Sequence, residues 1–364
     1  MNICFFLGGF YQNGGIGRVT SMLANEMAKC GRYNIATLCY CNQNLPNIYE
    51  ISPEIKQQFF LQAYSSMAKE IILGGVKRLK DYLTENEIDV LIACGALFYP
   101  ISVLACEGLK TKCICWEHSD PEGNNDHRGQ YLARRFGIKK SDLNVVLTQR
   151  AFEVFQKEYG ILNTVQIYNP VDEVVLENAG EYNPDTKRII SVGRLTYQKN
   201  FQMAVEVASQ ILPKYPEWHW DVFGKGDEEA QLQEMINEKG ISKQFHLRGQ
   251  VSDMYERYKQ YSVMVMTSRY EGFPMSLLEG LGNGLPLISF DIPTGPSEII
   301  ENGRNGYLIQ AFDINMMKQR LTDLIEDRNL LASMSHSSKE KVRYFSQREI
   351  VKKWNKVLTE LCRS

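Results

Sequence analysis

The stretch Ser268–Asp291, SRYEGFPMSLLEGLGNGLPLISFD, decides how the rest of the chain is read. Glu271 and Glu279 flank Gly272-Phe273-Pro274. Proline breaks a helix before it but suits a first helical turn, where its missing N–H would be unpaired anyway. The pattern predicts a strand end over Met264–Ser268, a tight loop over Arg269–Phe273 and a helix over Met275–Gly282. Gly284-Leu285-Pro286 closes that helix and leads into a strand over Leu287–Phe290. Glu271 then sits just outside the helix N-terminus, and Glu279 about one turn inside it. The N–H groups of Phe273, Met275 and Ser276 face the same space, and a helix start attracts anions. Either carboxylate alone could be a solvated surface charge. A carboxylate between Leu278 and Leu281, in so apolar a helix, is however costly to bury without a partner. Together these groups suit a ligand with hydroxyls at both ends and phosphate between, the shape of a nucleotide sugar.

At 364 residues the chain suits two domains. Its 44% apolar and 23% charged content is that of a soluble globular protein, and a net charge of −2 gives no global sign of nucleic-acid binding. Nine scattered cysteines, several inside apolar runs, read as reduced, buried thiols of a cytoplasmic protein. Cys39-Tyr40-Cys41 and Cys113-Ile114-Cys115 are too closely spaced for a zinc pair, and no metal site is expected. The opening MNICFFLGG reads as a strand and not a signal peptide, and no stretch is apolar enough to span a bilayer.

In the first half, the strand Asn2–Leu7 is followed by Gly14-Gly15-Ile16-Gly17-Arg18 and a helix over Val19–Lys29. Strand, glycine loop and helix let backbone N–H groups approach a phosphate, although many such turns hold no ligand. The spacing is not that of a dinucleotide-binding loop, and no acidic residue ends the strand Ile35–Cys41. Asn34–Tyr40, Asp89–Cys94, Lys112–Trp116 and Asn144–Leu147 read as buried parallel strands. Pro53–Leu83 reads as mostly helical, with Phe59, Phe60, Tyr64, Ile71 and Ile72 expected in the core rather than on a membrane-facing surface. His118 follows a strand end, where open parallel sheets place ligands, so it is either a hydrogen-bond partner for a sugar hydroxyl or phosphate or a structural histidine. Arg128, Arg134, Arg135, Lys139 and Lys140 form either a solvated helix face or a docking surface for anionic lipid or a polyprenyl-diphosphate acceptor. Asn169-Pro170-Val171-Asp172 is a turn, and Glu177–Lys187 reads as linker.

The second half repeats the plan. The strand Arg188–Val192 leads through Gly193-Arg194-Leu195 to Lys199-Asn200 and a helix over Phe201–Leu212. Arg194 and Lys199 are two cations where a phosphate site would be, though surface charges would look the same. His219–Phe223 with Gly224-Lys225-Gly226-Asp227, and Phe245–Leu247 with Arg248-Gly249-Gln250-Val251, are further strand ends. The chain has no Asp-x-Asp pair to anchor a metal, so positive side chains would have to do that work.

These residues carry a resemblance. Arg269–Ile288 resembles the Glu-x7-Glu region of retaining glycosyltransferases of family 4. Gly14-Gly15-x-x-Arg, Gly193-Arg194-Leu195 with Gln198-Lys199-Asn200, Gly224-x-Gly226 and Gly295-Pro296-Ser297-Glu298 are similar to that family's other motifs. The resemblance implies an α/β protein of the GT-B fold, two Rossmann-like domains facing a central cleft. The domains would be an acceptor-side domain over 1–172 and a nucleotide-sugar domain over 180–345, with a terminal helix at about 346–364 packing back on the first. It implies that Glu271 touches the transferred sugar and that Glu279 holds the ribose. Arg194 and Lys199 would hold the leaving diphosphate, and His118 would lie near the reacting centre. Gly14 and Gly15 would contact diphosphate or sugar. Gly224, Val251, Phe273, Pro274, Met275 and Ser276 would line the rest of the donor site.

The implied partners are a UDP-linked sugar and a glycan or polyprenyl-diphosphate-linked acceptor, with peripheral contact at the inner membrane face and no nucleic acid. No metal or other cofactor is expected. Two rival readings are a nucleotide-sugar epimerase on the same scaffold and a non-catalytic sugar-nucleotide-binding subunit of a polysaccharide-assembly complex.

Overall fold

The apolar runs that close with glycine become parallel strands, because a crossover helix on each face leaves no side of such a sheet for water. The computed structural model describes residues 1–11, 14–122, 128–178 and 180–363. The chain divides into two compact units, Met1–Pro170 with Gln347–Ser364, and Val171–Ser346.

The first unit is built on seven parallel strands: β1 Asn2–Leu7, β2 Asn34–Cys41, β3 Lys56–Leu61, β4 Val90–Cys94, β5 Lys112–Trp116, β6 Leu143–Val146 and β7 Thr164–Gln166. Their order in the sheet is β3-β2-β1-β4-β5-β6-β7, so the winding direction reverses between β1 and β4. The connecting helices are α1 Gly15–Lys29, α2 Met67–Ile72, α3 Gly75–Glu85, α4 Tyr99–Cys106, α5 Arg128–Lys140 and α6 Gln149–Glu153. The helix Gln347–Leu361 packs against α1, burying Ile350, Val351, Trp354 and Leu358 at helical spacing. Its Trp354 ring meets Trp116 edge-on at 5.1 Å.

Several expectations are corrected here. Pro53–Leu83 is not mostly helical: Lys56–Leu61 is an edge strand paired with β2, and only Met67–Ile72 and Gly75–Glu85 are helices. Of its apolar members only Phe60 is fully buried, while Tyr64 and Ile72 are 74% and 81% exposed. The helix after the glycine pair starts at Gly15 and not at Val19, with Gly14 as its cap. Arg134 is no surface charge. It is 1% exposed, and its Nε donates to Glu117 Oε2 at 2.7 Å. Such a buried pair must be satisfied on all sides, and the backbone N–H of Ser119 adds a 3.0 Å bond to Glu117 Oε1.

The second unit opens with α7 Glu173–Asn178, which starts after the expected turn and takes up the first two residues of the expected linker; residue 179 of that linker lies outside the described residues. Six parallel strands follow: β8 Arg188–Val192, β9 His219–Phe223, β10 Phe245–Gly249, β11 Val263–Met266, β12 Leu287–Asp291 and β13 Gly306–Gln310. They are ordered β10-β9-β8-β11-β12-β13. Their helices are α8 Phe201–Ile211, α9 Glu229–Glu238, α10 Met254–Arg257, α11 Met275–Gly282, α12 Pro296–Ile299, α13 Ile314–Glu326 and α14 Arg328–Lys341, and the terminal helix is α15.

One apolar core runs under β8, β9 and β11 from Ile189 through Trp220 to Leu324. Beside it, Asp221 on β9 is fully buried and accepts from Arg188 (2.5 Å), Arg248 (2.6 Å) and Tyr261 (2.9 Å). Burial alone would raise its carboxyl. Those hydrogen bonds more than offset it, and the group stays below its usual range.

Candidate functional site

The winding of the second sheet reverses between β8 and β11, and open parallel sheets hold ligands beyond strand ends at such a reversal. The end of β8 runs into Gly193-Arg194, and the end of β11 into Ser268–Phe273. Both loops carry residues singled out from the sequence.

Contacts stitch the two loops together. Arg269 N donates to Gln198 O (2.8 Å), Gln198 Nε2 to Tyr270 O (3.1 Å), and Arg269 Nη2 to Asn200 Oδ1 (2.8 Å). The Arg269 guanidinium lies over the Tyr197 ring, 4.3 Å from its centroid. Thr267 Oγ1 donates to Lys199 O at 3.1 Å. With its backbone held this way, Lys199 sends Nζ to Glu271 Oε1 at 2.6 Å. Its stem runs over Gly193, where an added Cβ would stand 3.0 Å from Lys199 Cδ and Cε.

Glu271 is 7% exposed. Its Oε1 accepts from both Lys199 and Ser268 Oγ (2.7 Å), and Thr294 Oγ1 donates to its carbonyl. Oε2 takes no described hydrogen bond, so half of the carboxylate keeps its capacity to accept one. Lys199, with three N–H donors, gives one to Glu271. Arg194 is exposed; its carbonyl accepts from Thr196 N at 2.9 Å, while no described hydrogen bond or ion pair engages its guanidinium.

Helix α11 runs from Met275 to Gly282, the bounds expected from the sequence, with Pro274 as its cap. The first-turn amides of such a helix have no intrahelical acceptor. Ser276 Oγ is buried without a partner, while the Phe273 ring packs on Phe345 at 5.9 Å. Glu279, 5% exposed, finds the partner its burial demands: Tyr258 Oη donates to its Oε2 at 2.7 Å. Gly295 has φ +102, and a Cβ there would fall 2.5 Å from Pro274 Cδ. That turn thus presses on the start of α11.

The turns after β8, β9 and β10 also interlock. Gly193 N bonds Phe223 O (2.9 Å), Leu195 N bonds Lys225 O (3.0 Å) and Gly224 N bonds Gly249 O (2.9 Å). Gly224, with φ +143, leaves no room for a Cβ, which would stand 1.9 Å from Gly193 O. Close packing of backbones therefore requires this glycine whether or not a ligand is bound. Val251 follows β10 and is partly buried.

Three of the sequence-predicted residues lie in the first unit. Gly14 N donates to Tyr49 Oη at 3.0 Å, and a Cβ on Gly14 or Gly15 would meet nothing within 4 Å, so this backbone faces open space. His118 stands past the end of β5 with its ring 4.3 Å from that of Trp116. Its Nε2 and Trp116 Nε1 are buried without partners. Burial pushes the imidazole down to about 3, which keeps it neutral near pH 7.

Sequence reasoning missed Ser268, Thr294, Tyr258, Tyr49 and the bracing trio Gln198, Asn200 and Arg269. Ser268 lay inside the quoted stretch. Tyr258 had no local signal, because its partner is 21 residues away. Among the described residues, no group of three or more His, Cys, Asp or Glu is placed to hold a metal ion. No described helix is long and apolar enough to cross a membrane.

Comparison with known proteins adds to this geometry. Residues 176–341 match the sequence family described as Glycosyl transferases group 1. A glycosyltransferase of Haemophilus influenzae is 26% identical over 356 residues, covering 98% of this chain and 99% of that protein. The amylovoran biosynthesis glycosyltransferase AmsD of Erwinia amylovora is 26% identical over 362 residues, with 98% and 99% covered. The fold is shared with an S. aureus TarM variant in complex with fondaparinux, alpha-GlcNAc-glycerol and UDP, at a TM-score of 0.80 and 16% identity over 100% of both chains. Matched over its second unit by that sequence family and aligned end to end with two glycosyltransferases, the chain is a glycosyltransferase of the GT-B fold.

Proposed function

We propose that the chain is a retaining, metal-independent transferase of the family 4 type. It moves a hexose or N-acetylhexosamine from a UDP-linked donor to a glycan or lipid-linked glycan, forming an α-glycosidic bond. The observation that carries the reading is the half-committed Glu271 carboxylate, braced by Lys199 and Ser268, with the exposed Arg194 on the same loop as Lys199. The UDP bound to the TarM variant supports the choice of nucleotide.

Arg194, the remaining donors of Lys199 and the start of α11 (Pro274, Met275, Ser276) take the diphosphate. The open oxygen of Glu271 takes hydroxyls of the transferred sugar, and Glu279 takes those of the ribose. Gly224, Val251 and Phe273 complete the nucleotide side. In the first unit, the open backbone of Gly14-Gly15 and the neutral His118 ring are assigned to sugar-hydroxyl or phosphate contacts.

In the reaction the bond from the anomeric carbon to the phosphate oxygen breaks as the acceptor oxygen bonds the same face of that carbon. The acceptor's proton passes to the departing phosphate oxygen. The protein supplies position and charge stabilisation and no nucleophile of its own.

The test is titration calorimetry with UDP on the wild type and on Arg194→Ala, followed by NMR of the products formed from a panel of UDP-sugars. Weaker UDP binding in the variant and an α-linked product are expected. Wild-type UDP affinity in Arg194→Ala would refute the phosphate role, and a β-linked product would refute retention.

A further inference from the structure

Two aromatic side chains stand exposed at the strand ends of the second sheet, the same edge that carries the Glu271 loop. Tyr197, on the loop after β8, is 61% exposed, and Phe312, just beyond β13, is 44% exposed. Arg269, on the loop after β11, bridges them. Its guanidinium carbon lies 4.3 Å from the centroid of the Tyr197 ring and 5.7 Å from that of Phe312. The guanidinium is itself fixed, since Nε donates to Tyr197 O (3.2 Å) and Nη2 to Asn200 Oδ1 (2.8 Å). Phe312 also meets the buried Phe290 ring edge-on at 5.6 Å.

Packing alone does not account for Phe312. Its φ of +67 is a left-handed conformation that a bulky side chain rarely adopts. Burial offsets little of that strain in a residue so exposed. Backbone strain that holds an aromatic ring out into water points to a ligand.

Chemistry and position narrow the occupant. A pyranose ring has a face of C–H bonds and a rim of hydroxyls. The face fits against an aromatic ring, and the rim meets polar groups such as Tyr197 Oη. The one charge among the three side chains is already turned to two rings and two oxygens, which favours a neutral ligand over a phosphate. A nucleotide base is a poor occupant. Gly224 and Val251, assigned to the nucleotide, follow β9 and β10 at one edge of the sheet, whereas Phe312 follows β13 at the other. The reacting groups are close by. Tyr197 lies between Arg194 and Lys199 on one loop, and the neighbouring Tyr270 hydroxyl is pushed up by burial, then by Glu271, and eased by Arg194.

We infer that Tyr197 and Phe312, bridged by Arg269, form a stacking subsite for a neutral pyranose unit of the acceptor glycan, beyond the unit that reacts. The inference rests on the proposed transfer to a glycan.

Saturation-transfer NMR of the full chain tests it, with maltotetraose and with chitotetraose, in the presence of UDP. Saturation of pyranose C–H protons is expected with at least one of the two. Tyr197→Leu and Phe312→Asn should each weaken that binding about three- to tenfold. Tyr197→Phe, which keeps the ring face, should retain it. Asparagine tolerates the left-handed backbone, so Phe312→Asn removes the ring without adding strain. Circular dichroism and UDP affinity of all three variants should match the wild type. No saturation of either tetrasaccharide, or variants that bind as the wild type does, would overturn the inference. So would equal losses in Tyr197→Phe and Tyr197→Leu, which would give the contact to the hydroxyl and not to the ring face. UDP titration on the same preparations separates the two readings. UDP binding without tetrasaccharide contact removes the subsite alone, and tetrasaccharide contact without UDP binding leaves the subsite and removes the donor assignment.

Discussion

Lys199 Nζ lies 2.6 Å from Glu271 Oε1 although 72 residues separate them, and the pair joins the loop after β8 to the entry of α11. Their side chains are 15% and 8% exposed, so solvent screens the interaction little. Lys199 is therefore more than a cation waiting for phosphate, and replacing it disturbs the protein as well as the chemistry. Lys199→Ala should cost about 3 kcal/mol of stability by leaving the Glu271 charge buried alone. Lys199→Met combined with Glu271→Leu should recover most of that loss in urea denaturation while remaining inactive. Equal destabilisation in the single and double variants would show that the pair contributes no coupling.

Arg194 offers the opposite case, being exposed and uncommitted. Arg194→Ala should leave stability within about 0.5 kcal/mol of the wild type. Its turnover should fall by roughly two to three orders of magnitude, as for removal of one group that stabilises developing charge. Thermal melts and steady-state assays with a UDP-sugar measure the two effects separately. A large drop in melting temperature would mean that Arg194 supports the fold instead.

Tyr258 bonds Glu279 at 2.7 Å from a fully buried ring. Tyr258→Phe keeps the ring and removes the hydroxyl, at a cost of about 1.5–3 kcal/mol for a hydrogen bond to a charged group. If the carboxylate holds ribose, UDP affinity should weaken in parallel. Calorimetry with UDP that shows no change would confine Tyr258 to a structural role.

Gly224 combines φ +143 with a Cβ position 1.9 Å from Gly193 O. Gly224→Ala must therefore move backbone, at an expected cost of about 2 kcal/mol or more. Gly14→Ala, where a Cβ meets nothing within 4 Å, should be tolerated by the fold. Denaturation of the two variants side by side is the check, and similar midpoints would contradict the packing argument.

His118 gives a pH dependence with a definite sign. Its folded-state value of about 3 lies below the ordinary 6.5, so the unfolded chain binds the proton more readily. The stabilisation from keeping this ring neutral is fully present above 6.5. It is lost as pH falls from 6.5 towards 3. His118→Asn should flatten the stability profile over that window in chemical denaturation. A profile of unchanged slope would show that the imidazole is not held neutral.

Much of this protein was legible in its sequence because the relevant signals are local. Apolar runs gave most of the strands, and the break at Pro274 placed α11 between Met275 and Gly282. Lys56–Leu61 escaped because KQQFFL has polar residues where an interior strand would be apolar. Only pairing with β2 makes it an edge strand. Arg134 looked like its basic neighbours, since a run of cations does not reveal which one turns inward to meet Glu117.

By itself the sequence determined the repeated strand–loop–helix plan, the α/β class and the residue types gathered at the strand ends. Those depend on side-chain periodicity and turn chemistry within a few residues. Only the tertiary structure decided that Lys199 pairs with Glu271, that Tyr258 answers Glu279, and that α5 shows its apolar side to solvent. Those outcomes depend on which strands become neighbours where the sheet reverses its winding, and on which helix face meets the sheet. Groups far apart along the chain settle both.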